Sequence, residues 1–414
     1  MGRFSLAGTR NGGAWQDKLS AAIAVGTGRA TITEARVLAL AQQLVRYPSP
    51  QTERMEAEPQ VQAFIGECVA PILEGMGLAT RRDAMGNLIA EAGRAGNGAS
   101  VLLMMYAMTH PQSRMTDPWD ARLIDTGEGR ALRGRGISEQ KAPLAAALAA
   151  LEALFATGGF PKGHLVFVLS SAGETGRHDA AQAALASHAA LGTVPAMGIV
   201  GLGTNGRVAL GNKGRIDVDV IVHGKATHSS TPWDGIDAIE GARRVLDQLK
   251  HLELPARAHP GLGRVTLTPT RVSTGPNATH TVQDSATITL DRRLLPGEDP
   301  ELALAQITEC VRLPAPWRVE VRKGPFMYPC EIAADGPLVA RIGEGARRAG
   351  LAVPDTFYSH SSLDAGYLLK LGCEATMWGP GRVEQFHSDD EFVLVSELMA
   401  GAYGYAGFLE ATLG

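Results

Sequence analysis

Apolar runs and amphipathic stretches alternate along most of this chain. VLLMMYA, from residue 101, is apolar almost without a break and runs into the polar, turn-forming THPQ. Such a run, bounded by turn residues, predicts a buried strand that ends in a loop. HLVFVLSSAGETG, from 164, and AMGIVGLGT, from 196, repeat the pattern, and NLIAEA, from 87, predicts a further strand. Between them lie helical periodicities. TITEARVLALAQQLVRYPSP, from 31, opens on a capping-box pattern, Thr31 to Glu34, and is stopped by prolines. EPQVQAFIGECVAPILEGMG, from 58, predicts a helix ended by glycine, and APLAAALAALEALFATG, from 142, one that is apolar nearly all round and therefore buried. Strands alternating with helices predict a mainly parallel sheet with helices on both faces.

The texture changes near Gly214. RIDVDVIVHG alternates strictly, as a half-exposed antiparallel strand does. GIDAIEGARRVLDQLKHL then predicts a helix, GRVTLTPTRVST and SATITLDRRL two strands, PELALAQITECVR a helix and WRVEVRKG a last strand. This β-α-β-β-α-β order is a ferredoxin-like pattern. From about Pro329 the first texture returns. The expected fold is α/β: a parallel-sheet domain over 1–213 and 329–414, split by a smaller insert over 214–328.

Composition narrows the classes. Apolar residues are 45% of the 414, so a large core is available, and the net charge of −4 gives no basic excess for nucleic acid. No apolar run has the ~18 residues of a membrane span. The four cysteines are scattered with no CxxC pair, which suits a reducing compartment, and the opening residues read poorly as a signal peptide. A cytoplasmic protein is expected.

Four loops at strand ends collect acids and histidines: RGRGISEQK with Glu139, SSAGETGRHD with Glu174, His178 and Asp179, GKATHSSTPWDG with His228, and GPGRVEQFHSDDEF with His387 and Glu391. Singly they are weak signals. Together with GPNATHTVQDSATITLDRR, from 275, their order and flanking residues resemble the metallopeptidase family of acetylornithine deacetylase, succinyl-diaminopimelate desuccinylase, aminoacylase and glutamate carboxypeptidase. The resemblance runs from about residue 33 to the end and implies a two-zinc amidase that dimerises through its insert.

Carried over position by position, the resemblance implies a bridging ligand at Glu139, a third ligand at Glu174 and a late histidine at His387. It implies an oxyanion-stabilising histidine at His228, acting across a homodimer, and substrate-binding residues at Asn277 and Arg293. Several positions depart from the family. Tyr106 stands where the first histidine belongs, Met108 where an aspartate follows it, Leu202 where a fourth, acidic ligand belongs, and Gly173 where the general base belongs. One ion site has thus lost two of its three donors. The other keeps Glu139, Glu174 and His387, so one divalent ion per subunit at most, zinc or manganese, is expected.

His110, His178, Asp179 and His360 are candidates to fill the gap. Tyr106 and His360 are taken as substrate contacts. Two carboxylates brought together would need a cation, a positively charged ligand or a basic neighbour such as Arg135, Lys141 or Arg177. The expected function is cleavage of a C–N bond in a small, carboxylate-bearing N-acyl or N-carbamoyl compound, with Glu139, Glu174 and His228 catalytic. The alternative is a homologue that binds a small ligand without turning it over.

Overall fold

In a computed structural model the described residues are 31–160, 162–189, 194–276 and 278–414. The first thirty residues, on which the signal-peptide reading falls, and Asn277 lie outside them.

Six strands form the main sheet, in the order Thr80–Arg82, Leu88–Gly93, His164–Ser170, Ser100–Tyr106, Met197–Val200 and Glu374–Met377. The last four run parallel, and the first two add an antiparallel edge. Leu102 to Met105 and Val166 to Leu169 are fully buried, as strands covered on both faces require. The cover comes from the helices Glu34–Arg46, Ala142–Phe155 and Val395–Leu413, all joined to the same core. The four parallel strands end at Tyr106, Ser170, Val200 and Met377 on one edge. Every loop expected to carry chemistry in this part of the chain leaves from that edge or packs against it, the usual site in open α/β sheets.

Two helix details differ from the sequence reading. The first helix begins at Glu34 and is capped by Thr33, whose hydroxyl accepts the Arg36 N–H at 3.3 Å, rather than by Thr31. The shift is physical: the N-cap acceptor must sit just before the first helical residue to reach an orphan donor. The helix predicted from 58 is Pro59–Ala63 and Ala70–Gly75, joined by a wide π-turn at Phe64–Val69. Pro71 brings no N–H to the ladder there, and the wider turn absorbs the missing bond. Ile137–Lys141 is a second such turn, again two residues before a proline, Pro143.

Residues 214–327 form a four-stranded antiparallel sheet in the order Thr266–Gly275, Ser285–Leu294, Gly214–His223, Arg318–Met327, the ferredoxin-like order expected from the β-α-β-β-α-β reading. Its helices Ala238–Lys250 and Pro300–Cys310 pack on one face around a separate core that includes Val218, Val220, Val245, Ile288 and Ile307. The Thr266–Gly275 strand is an outer edge and is exposed along most of its length. No described helix is long and apolar enough to cross a membrane.

Candidate metal centre

Glu139 rides on the π-turn Ile137–Lys141. The turn is entered through Gly136 at φ 74°, where a Cβ would also stand 2.3 Å from Thr109 Cγ2, so only glycine fits. Glu391 holds the turn in place. Its carboxylate, almost fully buried, accepts the N–H groups of Gly136 at 2.7 Å and Ser138 at 2.9 Å and pairs with buried Arg135 at 3.2 Å. Arg135 donates in turn to the Ser388 carbonyl at 2.9 Å, next to His387. One buried ion pair therefore sets both the turn carrying Glu139 and the loop carrying His387. His387 itself is exposed and at φ 60°, a left-handed conformation that costs a β-carbon-bearing residue energy.

Glu174 comes from the loop after His164–Ser170. Buried Asn87 fixes the root of that loop by accepting the Ser171 N–H at 2.8 Å and donating to the Ala180 carbonyl at 2.9 Å. Gln51 donates to the Glu174 backbone carbonyl at 2.8 Å, and Gln140 donates to its Oε1 at 2.7 Å.

The three side chains converge. One ligand atom each from Glu139, Glu174 and His387 lies within 4.8 Å of the others. His387 Nε2 is 3.2 Å from Glu139 Oε2 and 3.4 Å from Glu174 Oε2. The two carboxylates hold the His387 imidazolium far above the ordinary histidine range, and burial lifts Glu139 above the usual carboxylate range. The basic neighbours expected to balance the pair are engaged elsewhere. Arg135 pairs with Glu391, Arg177 with Glu56 at 2.9 Å, and Lys141 donates to the Tyr47 carbonyl at 2.9 Å between the rings of Phe64 and Trp119. Among the described residues no lysine or arginine pairs with Glu139 or Glu174. Two carboxylates and one imidazole on a shared centre are a donor set suited to one divalent ion with positions left for water.

A second ion does not fit. Leu202 is buried and apolar. Tyr106 is 3% exposed, and its hydroxyl donates to Asp364 at 2.6 Å. Asp364 also takes the Nδ1 proton of buried His178 at 2.6 Å, while His178 Nε2 accepts the Tyr328 N–H at 2.9 Å. Tyr106 and His178 thus belong to a closed buried chain of hydrogen bonds. Direct substrate contact by Tyr106, expected from the sequence, has no free donor to make it. Gly173 is more than a deleted side chain. A Cβ there would lie 2.3 Å from the Met108 carbonyl oxygen, so the backbone has closed over the position where the family's base stands.

The remaining candidates lie outside the trio. Arg293 is committed to Asp291 through two bonds of 2.8 and 3.0 Å and reaches Ser362 Oγ at 3.3 Å. His360, in the same loop as Ser362, is exposed, and the partial desolvation of its ring together with nearby Lys213 holds its pKa below the usual value. His228 is exposed on a short two-stranded ribbon, Thr227–His228 paired with Thr281–Val282, bonded to Ser230 Oγ at 2.7 Å beside His280, and touches none of the trio in its own chain. His110 does reach the site: its ring stacks on His387 with centroids 4.0 Å apart. Gln51, Asn87 and Gln140 escaped the sequence reading. Gln140 stands beside Glu139 in a stretch already singled out, whereas nothing local marks Asn87 or Gln51.

Comparison with known proteins identifies the family and the fold. Residues 109–411 match the family described as Peptidase family M20/M25/M40. The acetylornithine deacetylase of Myxococcus xanthus is 29% identical over 334 residues, covering 76% of this chain and 80% of that protein. A probable carboxypeptidase of Uncinocarpus reesii is 25% identical over 323 residues, covering 74% of this chain and 68% of that protein. The M20 family metallo-carboxypeptidase Sso-CP2 of Sulfolobus solfataricus superposes with a TM-score of 0.73 at 14% identity, over 91% of this chain and 99% of its own. The Bacillus subtilis YXEP protein, a dinuclear metal-binding peptidase, has a TM-score of 0.62 at 16% identity, over 91% and 97%. On these grounds the chain belongs to Peptidase family M20/M25/M40 and is a hydrolytic enzyme of that family.

Proposed function

We propose that the chain is an amidohydrolase that cleaves the C–N bond of a small N-acyl or N-carbamoyl compound bearing a carboxylate. Glu139, Glu174 and His387 would hold one zinc or manganese ion per subunit. The observation that carries this reading is the convergence of those three donors from three separate loops, with no lysine or arginine among the described residues paired to the two acids. Such an ion, when bound, polarises the scissile carbonyl and acidifies water.

The chain's own groups supply the rest. Gln140 orients Glu174, and Glu391 with Arg135 holds Glu139 and His387 at their spacing. Arg293 and the Ser362 loop would face substrate, and the family resemblance adds Asn277 to them. Because Asp291 already occupies the Arg293 fork, a substrate carboxylate is met by the remaining N–H groups. His228 stabilises the oxyanion from a second copy, since it reaches no member of the trio in its own chain. The exposed edge strand Thr266–Gly275 offers a self-pairing surface for that homodimer. The four cysteines are free, in keeping with a cytoplasmic protein.

The test is reconstitution. Protein stripped by chelator and reloaded with zinc or manganese should turn over members of an N-acyl and N-carbamoyl amino-acid panel, and Glu174→Ala should lose both ion and turnover. The closed backbone at Gly173 favours a second reading, a homologue that binds its ligand without cleaving it. That reading predicts calorimetric binding with no product. Turnover that survives EDTA would instead point to a carboxylate acting without metal.

A further inference from the structure

The proposed hydrolysis needs a proton acceptor, and the structure denies one at residue 173. We infer that His110 fills that role, an assignment that rests on the amidohydrolase reading above. Three observations carry it. The first is position: the His110 ring lies face to face with His387, centroids 4.0 Å apart and planes 20° apart, so it stands at the mouth of the carboxylate pair. The second is anchoring. The backbone just before it is stitched to the neighbouring loop, with Thr109 N–H donating to the Ser49 carbonyl at 2.9 Å and Gln51 N–H to the Thr109 carbonyl at 2.8 Å. Pro111 follows and restricts the backbone of His110.

The third is tautomer. Nδ1 lies 3.1 Å from the Pro111 carbonyl oxygen, which can only accept, so the ring proton sits on Nδ1. Nε2 then carries a lone pair and meets no hydrogen-bond partner among the described residues. His178, a buried imidazole, has both nitrogens committed, Nδ1 to Asp364 and Nε2 to the Tyr328 N–H, whereas His110 is only partly buried. His387 is held between the two carboxylates. His110 is therefore the imidazole at this site with a basic nitrogen to spare.

The step balances without a further reagent. Water oxygen bonds to the amide carbonyl carbon while one water proton passes to His110 Nε2. The C–N bond then breaks, its electron pair stays on nitrogen, and the proton on Nε2 moves to that nitrogen. A carboxylic acid and an amine leave, and Nε2 is bare again. Met108 stands where the resemblance places an aspartate, and His110, two residues on, offers this base.

The experiment compares the wild-type chain with His110→Gln and His110→Gly. It uses zinc titration by calorimetry, turnover of the N-acyl panel, and imidazole nitrogen resonances of the zinc-loaded protein. Expected are a 10²–10⁴-fold fall in kcat, KM and zinc affinity within threefold of wild type, and partial recovery of His110→Gly by added imidazole. The His110 resonances should show a proton on Nδ1 and a bare Nε2, a readout that does not depend on turnover. Retained kcat in His110→Gln, or zinc affinity lost in step with activity, would overturn the assignment while leaving the amidohydrolase reading intact. A zinc-loaded wild type with no turnover of any panel member would instead bring down that reading, and this one with it.

Discussion

Glu391→Gln keeps the shape of a buried side chain and removes its charge. The native carboxylate accepts three N–H groups, from Gly136, Ser138 and Arg135. An amide has one acceptor oxygen, so at least the Gly136 or the Ser138 N–H must face an NH2 group and go unpaired. An orphaned buried N–H costs about 1–3 kcal/mol. Arg135, fully buried, also loses its charged partner, and breaking such a pair from one side costs about 3–5 kcal/mol. Arg135 retains the Ser388 and Gln112 carbonyls, and Asp389 lies 3.8 Å away, so the low end applies. A loss of about 3 kcal/mol is expected. Because the same pair spaces Glu139 and His387, zinc affinity should fall tenfold to a hundredfold, the range for groups that orient metal ligands. Urea unfolding and calorimetric zinc titration of the two proteins provide the comparison. An unchanged urea midpoint together with zinc affinity within twofold of wild type would refute the claim that Glu391 sets the site.

Other outcomes follow from the same geometry. Gly173→Ala should destabilise by about 1–3 kcal/mol, because its Cβ would meet the Met108 carbonyl oxygen at 2.3 Å; an unchanged urea midpoint would contradict that closed backbone. Tyr106→Phe removes one of two side-chain donors to buried Asp364 and should cost about 1.5–3 kcal/mol while leaving metal content unchanged; a loss of metal would place the phenol in the metal site. In the metal-free chain His387 is raised to about 10 by its bonds to Glu139 and Glu174, and burial raises Glu139, so the folded state binds the extra protons. The stability contributed by His387 is then full below the ordinary imidazole value and is lost as pH climbs through about 10, so the metal-free chain should resist urea less well at pH 9 than at pH 6. Zinc must displace that proton, so its affinity should rise with pH, by up to about tenfold per unit, across the neutral range; a flat profile would contradict the ion-pair geometry.

The buried parallel strands were legible because unbroken apolar runs such as 101–107 admit few other readings, and the alternation in 215–224 marked the second sheet. The trio Glu139, Glu174 and His387 was named only through the family resemblance, since its members lie far apart in the chain, and the structure brings the three together. Other features depend on where side chains end up in space. Nothing around Tyr106 says that its hydroxyl is consumed by Asp364, 258 residues on. The fate of Arg135, Lys141 and Arg177 was equally hidden, since each found a partner other than the acidic pair. Asn87 reads as an ordinary turn residue until its amide is seen holding the Ser171 loop. The closure at Gly173 is a backbone event, and a glycine in a sequence cannot distinguish an open position from a filled one.

Metal content per chain, measured by elemental analysis after reconstitution with zinc or manganese and removal of excess ion, tests the central claim most directly. One ion per chain is expected, falling to none in His387→Ala and Glu174→Ala. Two ions per chain would mean that Tyr106 and Leu202 do not close the second position, and none under any loading condition would mean that Glu139, Glu174 and His387 form an ion-pair cluster and nothing more.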